Sequence, residues 1–495
     1  MPAHLLLELS QLISRQMGLH FAKDRWGDIE RGMYTAAKEF GFEDATSCAG
    51  WLLSTPLTRR QIEVLASHLT VGETYFFRDR QIFETLETRI FLELINQRRG
   101  GNQSLRVWSA GCASGEEPYS IAILLRKMIP DIMDWNITVL GSDINPRFLL
   151  KAEEGIYTDW SFRDVPPLVK EMYFRKTAKG QLEILPAISR IVTFAYLNLV
   201  EDYYPSLFNV TNAMDVIFLR NVLMYFSPDV QRKVIRKMHG SLVEGGWLIV
   251  SPSESSNQLF PEFAAVNRTG FTFYRKDSSL GGTAAVIPPF SDENMLGSEL
   301  LLPTPDVCFE MEAGITVAAA DAVSSKTAES PMDVLEKVCA LYGQGRCDEV
   351  TNKAVSALLL KVNDAKHLEL LARSFANQGK LAEAAQWCEK ALVAAKLDPG
   401  CHYLLATILQ EQGKDDEATA ALKRALYLDQ DFALAHFTLG NLARRRGKPE
   451  EATRCFNNAL SLLKKCAPDD LVAETEGVTV GRMIEIIENT IRAVA

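Results

Sequence analysis

Leu105-Arg106-Val107-Trp108-Ser109-Ala110-Gly111-Cys112-Ala113-Ser114-Gly115-Glu116-Glu117-Pro118 reads as a strand that runs through a glycine turn into a helix. Gly111 and Gly115 let the backbone come close to a ligand, and Pro118 suits the first turn of a helix. The loop fits neither the GxGxxG dinucleotide pattern nor the GxxxxGK[ST] phosphate loop. Glu116 and Glu117 stand at the helix start, where an anion would meet repulsion and a cationic ammonium or sulfonium would not.

Outward from this turn, helix and strand patterns alternate. Ile137-Thr138-Val139-Leu140-Gly141 reads as a second strand, ending at Ser142-Asp143. Ile191–Leu197, Val216–Leu219 and Trp247–Val250 supply three more. The alternation predicts an α/β fold, a doubly wound and mostly parallel sheet with helices on both faces. An acid at the end of the second strand of such a fold hydrogen-bonds ribose hydroxyls, which makes Asp143 a candidate; its other reading is a helix N-cap.

The chain has 495 residues, so more than one domain is expected. Apolar residues at helical spacing (Leu5, Leu6, Leu9, Leu12, Ile13) make residues 1–80 all-helical. Residues 81–276 hold the α/β pattern, and 277–330, rich in Pro, Gly, Ser, Ala and Thr, read as a flexible linker whose length means that its flanking domains need not be rigidly coupled. From 331 to 495 the sequence repeats. Gly345, Gly379, Gly413 and Gly447 recur every 34 residues, as do Ala357, Ala391, Ala425 and Ala459. Small residues at fixed offsets let paired helices approach, which resembles a tetratricopeptide repeat (TPR) array with a terminal capping helix over 471–495. Such an array predicts a protein or peptide ligand.

A net charge of −10 argues against a general nucleic-acid binder. No signal peptide and no apolar run of membrane-spanning length are read, so no membrane insertion is expected. The nine cysteines are scattered, with no metal spacing among Cys and His, which points to a reducing cytoplasm and to no metal site.

Four motifs in order carry a resemblance: Thr70–Arg78 (Thr-Val-Gly-Glu-Thr-Tyr-Phe-Phe-Arg), the Gly-Glu-Glu-Pro-Tyr-Ser loop, Ser142-Asp143-Ile144, and Arg220-Asn221-Val222-Leu223-Met224-Tyr225-Phe226. Together they resemble the CheR family of chemotaxis methyltransferases, over residues 1–276. The resemblance implies a class I S-adenosylmethionine (SAM) methyltransferase sheet with a small β-subdomain near 158–186. It implies methylation of glutamate side chains on chemoreceptor helices, with S-adenosylhomocysteine as product. Thr74 and Arg78 would contact the cofactor, Glu117 its charged amino-acid end, Asp143 its ribose, and Asn198-Leu199 its adenine. Gly111 and Gly115 would shape the loop around it. Arg220 and Asn221 would line the same pocket, and Tyr225 would face the methyl group and substrate. Gly72 stands where the family commonly has Asn, so a side-chain contact is absent there. An ionised Glu is already nucleophilic at neutral pH, so no general base is required and orientation carries catalysis. Arg78 can hold the substrate carboxylate in a fork, and Tyr225 can fix its other oxygen or the sulfonium. Two rivals are a small-molecule methyltransferase, which has no need of the Thr74/Arg78 motif, and a non-catalytic scaffold, which would not retain Arg78 and Tyr225.

Overall fold

The apolar run at Leu105 lies within strand β1 (Ser104–Ala110), fully buried after its first residue because both of its faces are covered. A computed structural model describes residues 1–277 apart from 102, 201–203, 257 and 269. It also describes 286–287, 341, 350–351, and 365–492 apart from 476. The predicted linker therefore lies almost wholly outside the described residues, as does most of the first predicted repeat.

The remaining strands are β2 (Asn136–Asp143), β3 (Ile156–Tyr157), β4 (Phe174–Lys176), β5 (Leu182–Ile184), β6 (Val192–Tyr196), β7 (Met214–Phe218), β8 (Leu242–Ile249), β9 (Phe263–Arg268), β10 (Phe271–Lys276) and β11 (Val286–Ile287). Eight form one sheet in the order β11-β9-β10-β8-β7-β1-β2-β6. The five strands read from the sequence pair in parallel, Val107 aligning with Val139 on one side and Val216 on the other. The edge departs from that pattern: β10 runs antiparallel to both β8 and β9. The chain leaves β1 towards β2 and β6, then crosses back to β7. That reversal places a crevice at the carboxyl ends of β1 and β7, where α/β sheets bind ligands.

Two apolar layers flank the sheet. Phe91, Tyr119, Leu125, Val139 and Phe218 belong to one. Trp108, Leu140, Ile217 and Leu248 belong to the other, which continues without a break into the N-terminal helices through Leu9, Ile13, Ile29 and Leu65. Those helices span Ala3–Met17, Trp26–Glu39, Ala45–Ser54 and Arg59–Leu69. Asp44 caps the third by accepting from the Thr46 and Ser47 N–H groups, and Thr58 with Gln61 forms a capping box on the fourth. A three-stranded sheet, β3-β5-β4, sits beside the main one. Two further helices, Arg80–Thr85 and Phe91–Arg98, precede β1.

Six helices from Ala365 to Leu463 pack as three antiparallel pairs, and a last helix follows at Val480–Arg492. Gly379, Gly413 and Gly447 each end the first helix of a pair at φ between 69° and 77°, a conformation only glycine adopts freely. Ala384, Ala418 and Ala452 are fully buried, and so are Ala391, Ala425 and Ala459 at a second offset of the same 34-residue period. Contacts also join the array to the α/β domain. The Arg106 side chain, only 10% exposed, pairs with Glu411 of the array, and the Ala213 N–H donates to the Asn377 carbonyl at 3.1 Å.

Candidate functional site

The loop after β1 is pinned before it meets anything else. The Ser142 carbonyl at the end of β2 accepts from the Gly111 and Cys112 N–H groups at 2.7 and 2.9 Å. Asp143 Oδ2 accepts from the Ala113 N–H at 2.9 Å, and Oδ1 from the Asn145 N–H at 2.8 Å. Gly111 has φ +80°, and a Cβ there would lie 2.4 Å from Val222 Cγ2, so the loop closes against the segment after β7 only because the position is glycine. The loop rims a cavity of about 290 Å³ at the carboxyl ends of β1, β2 and β7.

Of the residues singled out from sequence, Thr74, Arg78, Gly111, Glu117, Asp143, Asn198, Leu199, Arg220, Asn221 and Tyr225 all line this cavity. Gly115 does not, and its expected place beside the ligand is corrected. At φ +90° it faces the helix Pro146–Glu154, where a Cβ would lie 2.7 Å from that of Ala152. Its role is to seat one helix against another. A Gly115→Ala chain is expected to lose about 2–4 kcal/mol of stability, from the left-handed backbone and the overpacking together, measured by denaturant unfolding. A loss below about 0.5 kcal/mol would contradict this packing role.

Glu116 is a second correction. It does not line the cavity; its buried carboxylate accepts from Ser114 Oγ at 2.8 Å and Ser161 Oγ at 2.9 Å. Only Glu117 faces the crevice, and its charge is already engaged. Oε1 accepts from Ser109 Oγ and Oε2 from Arg220 Nη1, both at 2.8 Å. The Arg220 guanidinium, 2% exposed, also donates to the Arg78 carbonyl at 3.0 Å and pairs with Asp79. Asp79 shares the Arg220 guanidinium with Glu117, so Arg220 does not fully neutralise Glu117, whose carboxylate can still attract a cation.

Burial pushes the Asp143 carboxyl up to about 6, against the lowering effect of its backbone donors. Burial also raises the Cys112 thiol well above its ordinary range, so this cavity-lining cysteine is an inert neutral group.

The opposite wall comes from the helical region. The connection between its first two helices contributes Met17, Leu19, His20, Phe21 and Arg25, none of them singled out from sequence. It is anchored by the His20 N–H donating to the Tyr225 carbonyl at 2.7 Å and by an antiparallel bridge between Leu19 and Phe226. Asn198 Nδ2 donates to the Gln16 carbonyl at 2.7 Å, tying the third wall to the same helix. Glu254 is a further residue the sequence reading missed: its carboxylate accepts from the Asn221 N–H at 2.7 Å and holds that turn in place. At Gly72 a Cβ would lie 2.4 Å from Phe148 Cζ, so the Phe148 ring occupies the space a side chain would need and itself lines the cavity. Phe77, Asp79, Ala113 and Asn221 all have φ between 46° and 60°, and this strained backbone gathers around the cavity.

Comparisons with known proteins match both the α/β region and the repeats. Residues 72–271 match the family described as CheR methyltransferase, SAM binding domain. Residues 352–425 match the family described as anaphase-promoting complex, cyclosome, subunit 3, and residues 433–466 match the tetratricopeptide repeat. Chemotaxis protein methyltransferase 1 of Pseudomonas aeruginosa is 35% identical over 217 residues, covering 43% of this chain and 77% of that protein. The chemotaxis protein methyltransferase of Borreliella burgdorferi is 28% identical over 253 residues, covering 50% of this chain and 88% of its own length. No helix among the described residues is long and apolar enough to cross a membrane.

Proposed function

The chain belongs to the CheR methyltransferase family, a SAM-dependent methyltransferase joined to tetratricopeptide repeats, and from that premise we propose that it esterifies glutamate side chains on the cytoplasmic helices of chemoreceptors. One observation carries this reading. Arg78, from the connection to the helical region, and Tyr225, from the turn after β7, line the same cavity as Glu117 and Asp143. A protein carboxylate and a cationic methyl donor can therefore meet in one crevice.

The residues present fit the cofactor. Asp143 offers buried acceptor oxygens for ribose hydroxyls, and Glu117 offers a carboxylate for the ammonium of the amino-acid end. Asn198 and Leu199 would flank the cofactor's adenine. Thr74 and Asn221 complete the wall, and Gly111 keeps it open. When bound, SAM supplies a methyl group on a sulfonium. Arg78 then forks the substrate carboxylate and Tyr225 orients its second oxygen, while the walls from Met17–Arg25 and Asn198–Leu199 exclude water. The product is S-adenosylhomocysteine with a glutamyl methyl ester. The enzyme works in the cytoplasm, and its array takes a protein or peptide segment.

The test is transfer of tritiated methyl groups to receptor cytoplasmic fragments, with receptors whose methylation-helix glutamates are changed to alanine as controls. Labelling of the first and not the second is expected; labelling of neither would overturn the acceptor assignment.

Asp143 gives a separate prediction. Ribose hydroxyls donating to its ionised form lower the carboxyl from about 6, so S-adenosylhomocysteine binding releases protons near and below pH 6, and affinity falls as pH drops through about 6. In the free chain the sign is that of a raised acid. The stability contributed by the neutral form is present below the ordinary aspartate range and lost as pH rises through about 6. Calorimetry near pH 6 in two buffers of different ionisation enthalpy should show the proton release, and Asp143→Ala should abolish it.

A further inference from the structure

The repeat array is occupied by its own chain. Between β6 and β7, Leu207 packs against Ala372, Ala376, Ala384, Leu404 and Ile408 of the first two described repeats. Its neighbour Phe208 packs against the next apolar cluster, which contains Tyr403, Leu409 and Phe432. Polar contacts fix the register. Asn377 accepts from the Ala213 N–H at 3.1 Å and donates from Nδ2 to the Pro205 carbonyl at 3.4 Å. Arg106 is the hub. It donates from Nε to the Asn212 carbonyl at 3.1 Å and from Nη2 to the Val210 carbonyl at 3.2 Å, while pairing with Glu411. Residues 207–210 form a turn, so the array holds a turn by an adjacent apolar pair flanked by hydrogen bonds and an ion pair.

The seated segment is held in an unfavourable shape. Val210 has φ 61° and Ala213 φ 47°, left-handed backbone that a β-branched residue and an alanine adopt only when their surroundings impose it. The same segment leads directly to the cofactor cavity. Tyr204 Oη donates to the Leu199 carbonyl at 2.9 Å, and its ring meets Trp108 edge-on with centroids 5.5 Å apart. The Val200 N–H donates to Asn198 Oδ1 at 3.1 Å. Asn198 and Leu199 line the cavity.

We infer that residues 205–213 are the resident ligand of the repeat array, and that their seating there braces the Asn198–Leu199 wall of the cofactor cavity. The occupant is thus a segment of this same chain, and cofactor binding and groove occupancy stabilise each other. Linkage makes the coupling reciprocal: a partner segment that displaces Leu207 and Phe208 lowers cofactor affinity, and bound cofactor resists the displacement. A competing partner must offer two adjacent apolar side chains, and a cation for Glu411. This inference rests on the cofactor reading of the cavity above.

The test uses the full chain and S-adenosylhomocysteine. In the unaltered protein, saturating ligand is expected to slow amide hydrogen exchange at 204–213 and in the array helices 365–377 and 399–411, remote from the cavity. In Phe208→Ser and, separately, Glu411→Ala, exchange at 204–213 should rise and the calorimetric Kd for the ligand should weaken about tenfold. Loop release with a Kd within twofold of the unaltered protein would overturn the coupling. Unchanged loop exchange in both variants would overturn the seating. An unaltered protein that shows no array protection at saturation would overturn the inference even if the variants fail to fold. Failure of the unaltered protein to bind the ligand at all would overturn the cofactor reading and this inference with it.

Discussion

An Arg78→Ala chain is expected to methylate receptor fragments roughly 30- to 1,000-fold less efficiently in kcat/KM, because removing one partner of a desolvated charge pair costs about 2–4 kcal/mol. Its affinity for S-adenosylhomocysteine is expected to fall less than tenfold. The asymmetry follows from position. Arg78 lies at the mouth of the cavity, where its Nη1 donates to the Glu73 carbonyl at 2.8 Å. The remaining guanidinium edge is left for a carboxylate arriving from outside, while Asp143, Glu117 and Asn198 hold the cofactor from within. Arg78→Lys should restore only part of the activity, since an ammonium is a point charge without the planar fork that grips two oxygens. Equal losses in cofactor affinity and in turnover would place Arg78 on the cofactor alone.

Arg220→Met is expected to lower the melting temperature by roughly 10 °C, corresponding to about 3–5 kcal/mol for breaking a buried ion pair from one side. The guanidinium links Glu117 on the helix after β1 to Asp79 beside Arg78, and almost none of it is exposed. Methionine fills a similar volume but leaves the Glu117 carboxylate, 13% exposed, without its cation. Cofactor affinity should fall as well, because Glu117 Oε2 loses the bond that sets its direction. Thermal unfolding by near-ultraviolet circular dichroism measures the first effect and calorimetry the second. A fall below about 2 °C would mean that water screens the network and that the Asp79–Arg220–Glu117 chain is not what holds the site together.

The parallel half of the sheet was legible because each strand is a short apolar run followed by a turn, and strands buried on both faces look like that wherever they occur. The β9–β10 edge was not read, although Gly270, at φ +81° just before β10, is the kind of residue that signals a hairpin. At the site, local grammar found the loop and Asp143 but could not rank equivalent neighbours. Gly111 and Gly115 have the same sign of φ, and only the packing of Val222 on one and Ala152 on the other separates a ligand-facing glycine from a helix-seating one. Glu116 and Glu117 are adjacent on a helix, so at most one could face the crevice; periodicity alone does not say which. The wall formed by Met17–Arg25 was invisible for a different reason. It is held at the cavity by bonds to Tyr225 and Phe226, some 200 residues away in sequence. The 34-residue period announced the array, but Leu207-Phe208 is an ordinary apolar pair until the fold lays it in the groove.

The most direct measurement is the chemical nature of the bond formed. Receptor fragments incubated with the protein and tritiated SAM should carry label that mild alkali releases as volatile methanol, since a glutamyl methyl ester hydrolyses there and N- or S-methyl groups do not. Alkali-labile label on receptor glutamates, lost in Arg78→Ala, is the predicted result. Alkali-stable label, or label found only on small molecules, would contradict a protein carboxylate as the acceptor.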